Sequence, residues 1–123
     1  MKVPNKNRPG YKMTKVGWIP DNWEVCKLEE ISEIFFSNVD KKSHKNENEV
    51  KLCNYIDVYY NEYITNKLNF MRATASDAEV KKFRLQYGDV IITKDSETRD
   101  DIAVSALVIE ELPNVICGYH LAI

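Results

Sequence analysis

Glycine, cysteine and histidine are all scarce in this chain, and each scarcity removes a class of function. The four glycines stand at positions 10, 17, 88 and 118, never clustered, so no Gly-rich loop is available to cradle a phosphate. The three cysteines, Cys26, Cys53 and Cys117, form no Cys-x-x-Cys and leave one thiol over, the pattern of a reduced, cytosolic protein. Of the two histidines, His44 is alone in a polar stretch. His120 follows Cys117 by three positions, which on a strand would send the two side chains to opposite faces. No metal site is expected from such a set, and no cofactor. Cys117 lies in an apolar run and reads as an inert core thiol. Magnesium nucleases place an acid-x-Lys tripeptide on a strand; here Lys94 precedes Asp95, so the order is wrong. Nothing in the sequence supports catalysis. No apolar run approaches the ~20 residues that cross a bilayer, and no apolar stretch follows the charged start Met1–Arg8, so no signal peptide is read.

What is there is ordinary globular composition: 123 residues, 44% hydrophobic and 29% charged. That length suits a single domain. The net charge of −2 hides an asymmetry. Residues 1–16 hold five bases and no acid, leaving 12 bases against 19 acids in the rest. A domain that grips nucleic acid unaided has a basic face and a pI above about 9; this chain has a pI near 5.7. If it meets nucleic acid, it does so through a local patch, with partners supplying much of the phosphate grip.

Along the chain, residues 1–10 read as a flexible basic leader broken by Pro4, Pro9 and Gly10. A turn at Pro20-Asp21-Asn22 precedes a strand starting at Trp23, and Leu28, Ile31 and Ile34–Phe35 recur at helical spacing. A strand is expected from Val50 to Ile56, while the tyrosine-rich run through Tyr63 has no clear period. Ser76 and Glu79 form a capping-box pattern opening a short helix. Gly88-Asp89 reads as a turn before the strand Val90–Thr93, and further strands are expected over 102–109 and 115–123. The expected fold is a mixed, strand-dominated α+β domain. In it, Trp18, Ile19, Trp23, Val25, Leu28 and Ile31 should pack against the strands at 90–93 and 103–109.

Two wholly polar loops each adjoin a strand. The first, Lys41-Lys42-Ser43-His44-Lys45, offers four groups that can be cationic and a hydroxyl; the bland alternative is a solvated loop tip. The second runs from Lys94 to Asp101. It mixes Lys94 and Arg99 with Ser96, Thr98 and the acids Asp95, Glu97, Asp100 and Asp101. Net negative charge makes it poor for plain phosphate binding, whereas Arg or Lys can donate to guanine and Asp or Glu accept from cytosine N4. Its alternative is that Arg99 pairs with Glu97, Asp100 or Asp101 on the surface.

The segment Thr14-Lys15-Val16-Gly17-Trp18-Ile19-Pro20-Asp21-Asn22-Trp23, followed by Lys27-Leu28, resembles the opening of the first target recognition domain of type I restriction–modification specificity subunits. Asn38–Ser43, Asn54–Tyr59, Gly88–Thr98 and Cys117–Leu121 resemble one branch of that family in the same order, so the likeness covers residues 11–123. Ser105 departs from it, since the branch often has proline after Ala-Val. The resemblance implies a DNA methylase specificity domain-like fold holding most of one target recognition domain, incomplete at its C-terminus. It further implies a cytoplasmic, non-catalytic component reading one half-site of a bipartite double-stranded DNA target. Methyl transfer and cleavage would belong to methyltransferase and restriction subunits. The site residues then expected are Lys41, Lys42, Ser43, His44 and Lys45, with the lysines on phosphates, and Ser96, Glu97, Thr98 and Arg99 on base edges. Lys94 stands between the two roles. A protein- or RNA-interaction module is the competing reading, favoured by the acidic balance.

Overall fold

The computed structural model describes residues 8–123, which form two compact units divided between Glu33 and Ile34. Residues 1–7 of the expected leader lie outside the described residues. At its end, Arg8 O accepts from Tyr11 N (3.0 Å) and Gly10 O from Asp21 N (2.9 Å).

The first unit is built on an antiparallel hairpin, β1 (Tyr11–Thr14) and β2 (Gly17–Pro20), with Met13 opposite Trp18. Gly17 has φ +109°, a conformation that costs glycine little, and the Thr14 hydroxyl donates to its carbonyl at 2.8 Å. The expected turn at Pro20 is present, closed by Trp23 N to Pro20 O at 2.9 Å. The strand expected from Trp23 is absent: residues 23–27 are irregular. Side-chain alternation alone does not make a strand, because the ladder needs a neighbouring edge, and β1 and β2 use each other's. Helix α1 (Leu28–Ile31) follows, shorter than the apolar spacing suggests. No described residue of this unit is buried.

The second unit holds two sheets and two helices, with more strand than helix in the described chain. One sheet has the order β5 (Met71–Ala75), β3 (Asn48–Cys53), β8 (Val115–Cys117); the other runs β4 (Tyr63–Ile64), β7 (Ser105–Val108), β6 (Val90–Thr93), β9 (Leu121–Ala122). Both are mixed: β3 pairs antiparallel with β5 and parallel with β8, and β7 pairs parallel with β4 and antiparallel with β6. Helix α2 (Tyr55–Tyr59) lies against β4, β6 and β7, and α3 (Asp77–Phe83) against β8. The capping box is formed as expected: Glu79 N donates to Ser76 Oγ at 3.2 Å and Ser76 N to Glu79 Oε1 at 3.0 Å.

Four expected elements change. The strand expected over Val50–Ile56 becomes Asn48–Cys53, and Tyr55 and Ile56 open α2 instead. The long strand over 102–109 contracts to Ser105–Val108. The run 115–123 splits into β8 and β9, which belong to different sheets, with a turn at Gly118–His120 between them. Ile34 and Phe35 do not extend α1; Phe35 N and O both pair with Ile123, and Ser37 N donates to Leu121 O, so this segment covers the free edge of β9.

The core comprises Leu52, Cys53, Val58, Ile64, Ile91, Val108, Val115, Ile116 and Leu121 among others, and none of the six leader residues expected in it. Trp23, Val25, Leu28 and Ile31 are exposed and Trp18 and Ile19 half-buried. Within the second unit, the strands they were expected to cover, β6 and β7, are packed by α2. Accordingly, Leu52→Ala should lower the stability of the folded chain by about 2–5 kcal/mol, the usual cost of a buried cavity. Trp23→Ala, at a site 61% exposed, should stay within about 0.5 kcal/mol. Urea unfolding of both variants checks this.

Candidate nucleic-acid interface

Strand β6 launches the second polar loop, and its last residue holds both ends of it. Thr93 is fully buried; its hydroxyl donates to Asp101 O at 2.6 Å and accepts from Val104 N at 3.0 Å, while its carbonyl accepts from Ala103 N at 2.7 Å. These bonds hold Ala103 at φ +68°, in the left-handed region that costs an L-residue energy. Within the loop, Arg99–Asp101 forms one 3-10 turn. The Asp101 carboxylate is its anchor: Oδ1 accepts from the Tyr59 hydroxyl (3.0 Å) and Oδ2 from the Thr98 hydroxyl (2.6 Å).

Asp101 is committed to two hydroxyls, and among the described residues Arg99 has no ion-pair partner. Arg99 itself is exposed. Glu97 and Thr98 are exposed as well, and Ser96 Oγ makes long contacts with Thr98 N (3.4 Å) and the Tyr55 hydroxyl (3.5 Å).

The first loop divides. Lys41 and Lys42, with Asp40, line an open cleft of about 310 Å³ whose other walls are Asn54, Tyr55, Tyr119 and His120. Asp40 Oδ1 accepts from Lys42 N at 2.9 Å, which sets the turn. Farther on, His44 N donates to the Thr74 hydroxyl on β5 at 2.7 Å, and that hydroxyl donates to Glu47. Ser43, His44 and Lys45 are exposed but do not line the cleft.

The second loop reaches two walls of the cleft without lining it. Tyr55 links it to Ser96, and His120 Nδ1 lies 2.5 Å from Asp95 Oδ1. Lys94 serves the fold here: its ammonium donates to Ser37 O at 2.6 Å and sits over the rings of Phe36 and Tyr119, 5.9 and 5.2 Å from their centroids. A larger depression, about 700 Å³, runs along α3 between Asn48 and Gln86 and contains none of the residues expected from sequence.

Sequence reasoning did not assign Tyr55, Tyr59, Asp101 or Tyr119. The four-residue spacing of Tyr55 and Tyr59 was the available signal, for it puts both rings on one face of α2, stacked 5.6 Å apart. Cys117 is buried as expected, and burial pushes its thiol up to about 12 against the opposing charge of Lys94. Comparison of the chain with protein-family models, with curated proteins and with solved structures gave no match.

Tyr59 ties the loop to pH. Its hydroxyl is raised above the ordinary 10.0, first by the hydrogen bond to Asp101 and then by that residue's charge. A raised phenol means the folded state retains the proton. The contact is thus whole below pH 10 and is lost as pH climbs through the raised value. Asp101→Ala should return Tyr59 to its ordinary titration. It should also speed amide exchange over residues 96–102 at neutral pH by roughly three- to tenfold, the worth of a net hydrogen bond or so. Ultraviolet titration and hydrogen exchange measure the two effects.

Proposed function

We propose that this chain reads one half-site of a bipartite double-stranded DNA target as the specificity component of a type I restriction–modification system. On this reading it has the specificity-domain fold that its motifs resemble and performs no chemistry. It works in the cytoplasm docked to methyltransferase and restriction subunits, which supply methyl transfer, cleavage and most of the phosphate grip. Among the described residues, no helix is long and apolar enough to cross a membrane.

The observation that carries the proposal is that the first polar loop brings Lys41 and Lys42 to a cleft whose walls Tyr55 and His120 contact Ser96 and Asp95 of the second loop, the loop that exposes Arg99. Lysines are point charges suited to holding phosphates, whereas the planar guanidinium of Arg99 can donate two parallel bonds to guanine O6 and N7. Glu97, exposed on the same loop, is able to accept from a cytosine amino group. The Asp101 anchor keeps that loop ordered before any ligand arrives, which lowers the entropy lost on binding.

Selection from a random duplex pool, with the chain alone and with its methyltransferase subunits, should enrich one short half-site. Arg99→Ala should then cost roughly 1–3 kcal/mol and relax preference at one base position. Lys42→Ala should weaken binding to every sequence alike and lower the salt slope by about one. No enrichment, equal binding to RNA of the same sequence, or an Arg99→Ala variant with unchanged specificity would overturn the reading.

A further inference from the structure

The cleft beside the first loop has aromatic walls that duplex reading does not use. At about 310 Å³ it is small for a folded partner and ample for one nucleotide. Two of its walls are tyrosine rings. Tyr119 is 51% exposed and carries Lys94 over its ring, with the His120 ring edge-on at 5.1 Å. Tyr55 also lines the cleft, and its ring is stacked on Tyr59 at 5.6 Å. At the mouth stand Lys41 and Lys42, both exposed and without an acidic partner among the described residues. Aromatic walls with adjacent ammonium groups are the chemistry that holds a base by its face and its phosphate by charge.

The turn bearing Tyr119 is held in place by the backbone. Gly118 N donates to Cys53 O at 2.9 Å, and a Cβ at Gly118 would stand 2.7 Å from that oxygen and 3.2 Å from Asn54 Oδ1. Only glycine allows this approach, so Tyr119 and His120 are fixed against the start of α2, where Asn54 and Tyr55 complete the wall.

We infer that this cleft binds a single unpaired nucleotide, the base against Tyr119 and Tyr55 and the 5′-phosphate on Lys41 and Lys42. The nucleotide can be free or extruded from a strand, and the site does not depend on the half-site reading above. Titration of the chain with each deoxynucleoside 5′-monophosphate, followed by amide chemical shifts, should move Asn54, Tyr119 and His120 saturably. Inorganic phosphate and deoxyribose 5-phosphate should bind much more weakly. Tyr119→Ala should weaken nucleotide binding about tenfold, the worth of one base stack, while leaving binding of inorganic phosphate unchanged. Tyr119→Phe should retain the nucleotide affinity.

A duplex with one bulged 2-aminopurine, compared with the fully paired duplex, separates the two sources. At least fivefold tighter binding of the bulge supports an extruded base, whereas saturable monophosphate binding without that preference supports a free nucleotide. Monophosphates that bind no better than inorganic phosphate, or a Tyr119→Ala variant with unchanged nucleotide affinity, overturn the inference. Enrichment of a paired half-site is read separately, so loss of either conclusion leaves the other standing.

Discussion

Strand β8 has no water to bond with, and the rest of the second unit is arranged around that constraint. Val115, Ile116 and Cys117 are completely buried, so each of their peptide groups needs an internal partner. The parallel register with β3 supplies one side; Leu85 N donates to Val115 O, and Arg84 bridges to Ile116 on the other. At the end of the strand, the hydroxyl of buried Ser37 donates to Cys117 O at 2.5 Å. A continuous apolar run is what a strand enclosed on both faces requires. The run cannot continue straight, because Gly118 closes on Cys53 O and turns the chain into the other sheet.

That turn connects packing with the surface chemistry of the cleft. By sending β9 into the second sheet, it lifts Tyr119 and His120 to the surface between the two polar loops. The same device appears at Thr93, where a buried hydroxyl and carbonyl gather Asp101, Ala103 and Val104 at the base of the 94–101 loop. In both places a buried polar requirement of the core sets the position of exposed groups. The loops are therefore positioned by the sheets, although most of their side chains make no core contact.

Charge distribution at the interface follows from which acids are already occupied. Asp101 and Asp95 hold Tyr59, Thr98 and His120, and Asp40 holds the backbone of Lys42. Beside them Lys41 and Lys42 form a small cationic patch at the cleft, with no ion-pair partner among the described residues. Net charge describes the whole surface and does not resolve such a patch.

Much of the local structure was legible in the sequence, because it depends on contacts between near neighbours. The Ser76–Glu79 cap, the turns at Pro20 and Gly88, the strand Val90–Thr93 and the polar character of both loops all belong to this class. So does the burial of Cys117, which follows from its apolar surroundings. Pairing was not legible. The alternation at Trp23 found no partner edge, Ile34–Phe35 joined β9 instead of a helix, and one apolar run became two strands in separate sheets. Those outcomes depend on which distant backbone groups compete for the same hydrogen bonds. The candidate site divides along the same line: sequence alone marked Lys41, Lys42 and Arg99 by their chemistry. Only the tertiary structure joined Lys41 and Lys42 to Tyr55 and Tyr119, and Asp101 beside Arg99 to Tyr59, since a cleft is made by residues that the chain brings together from some 80 positions apart.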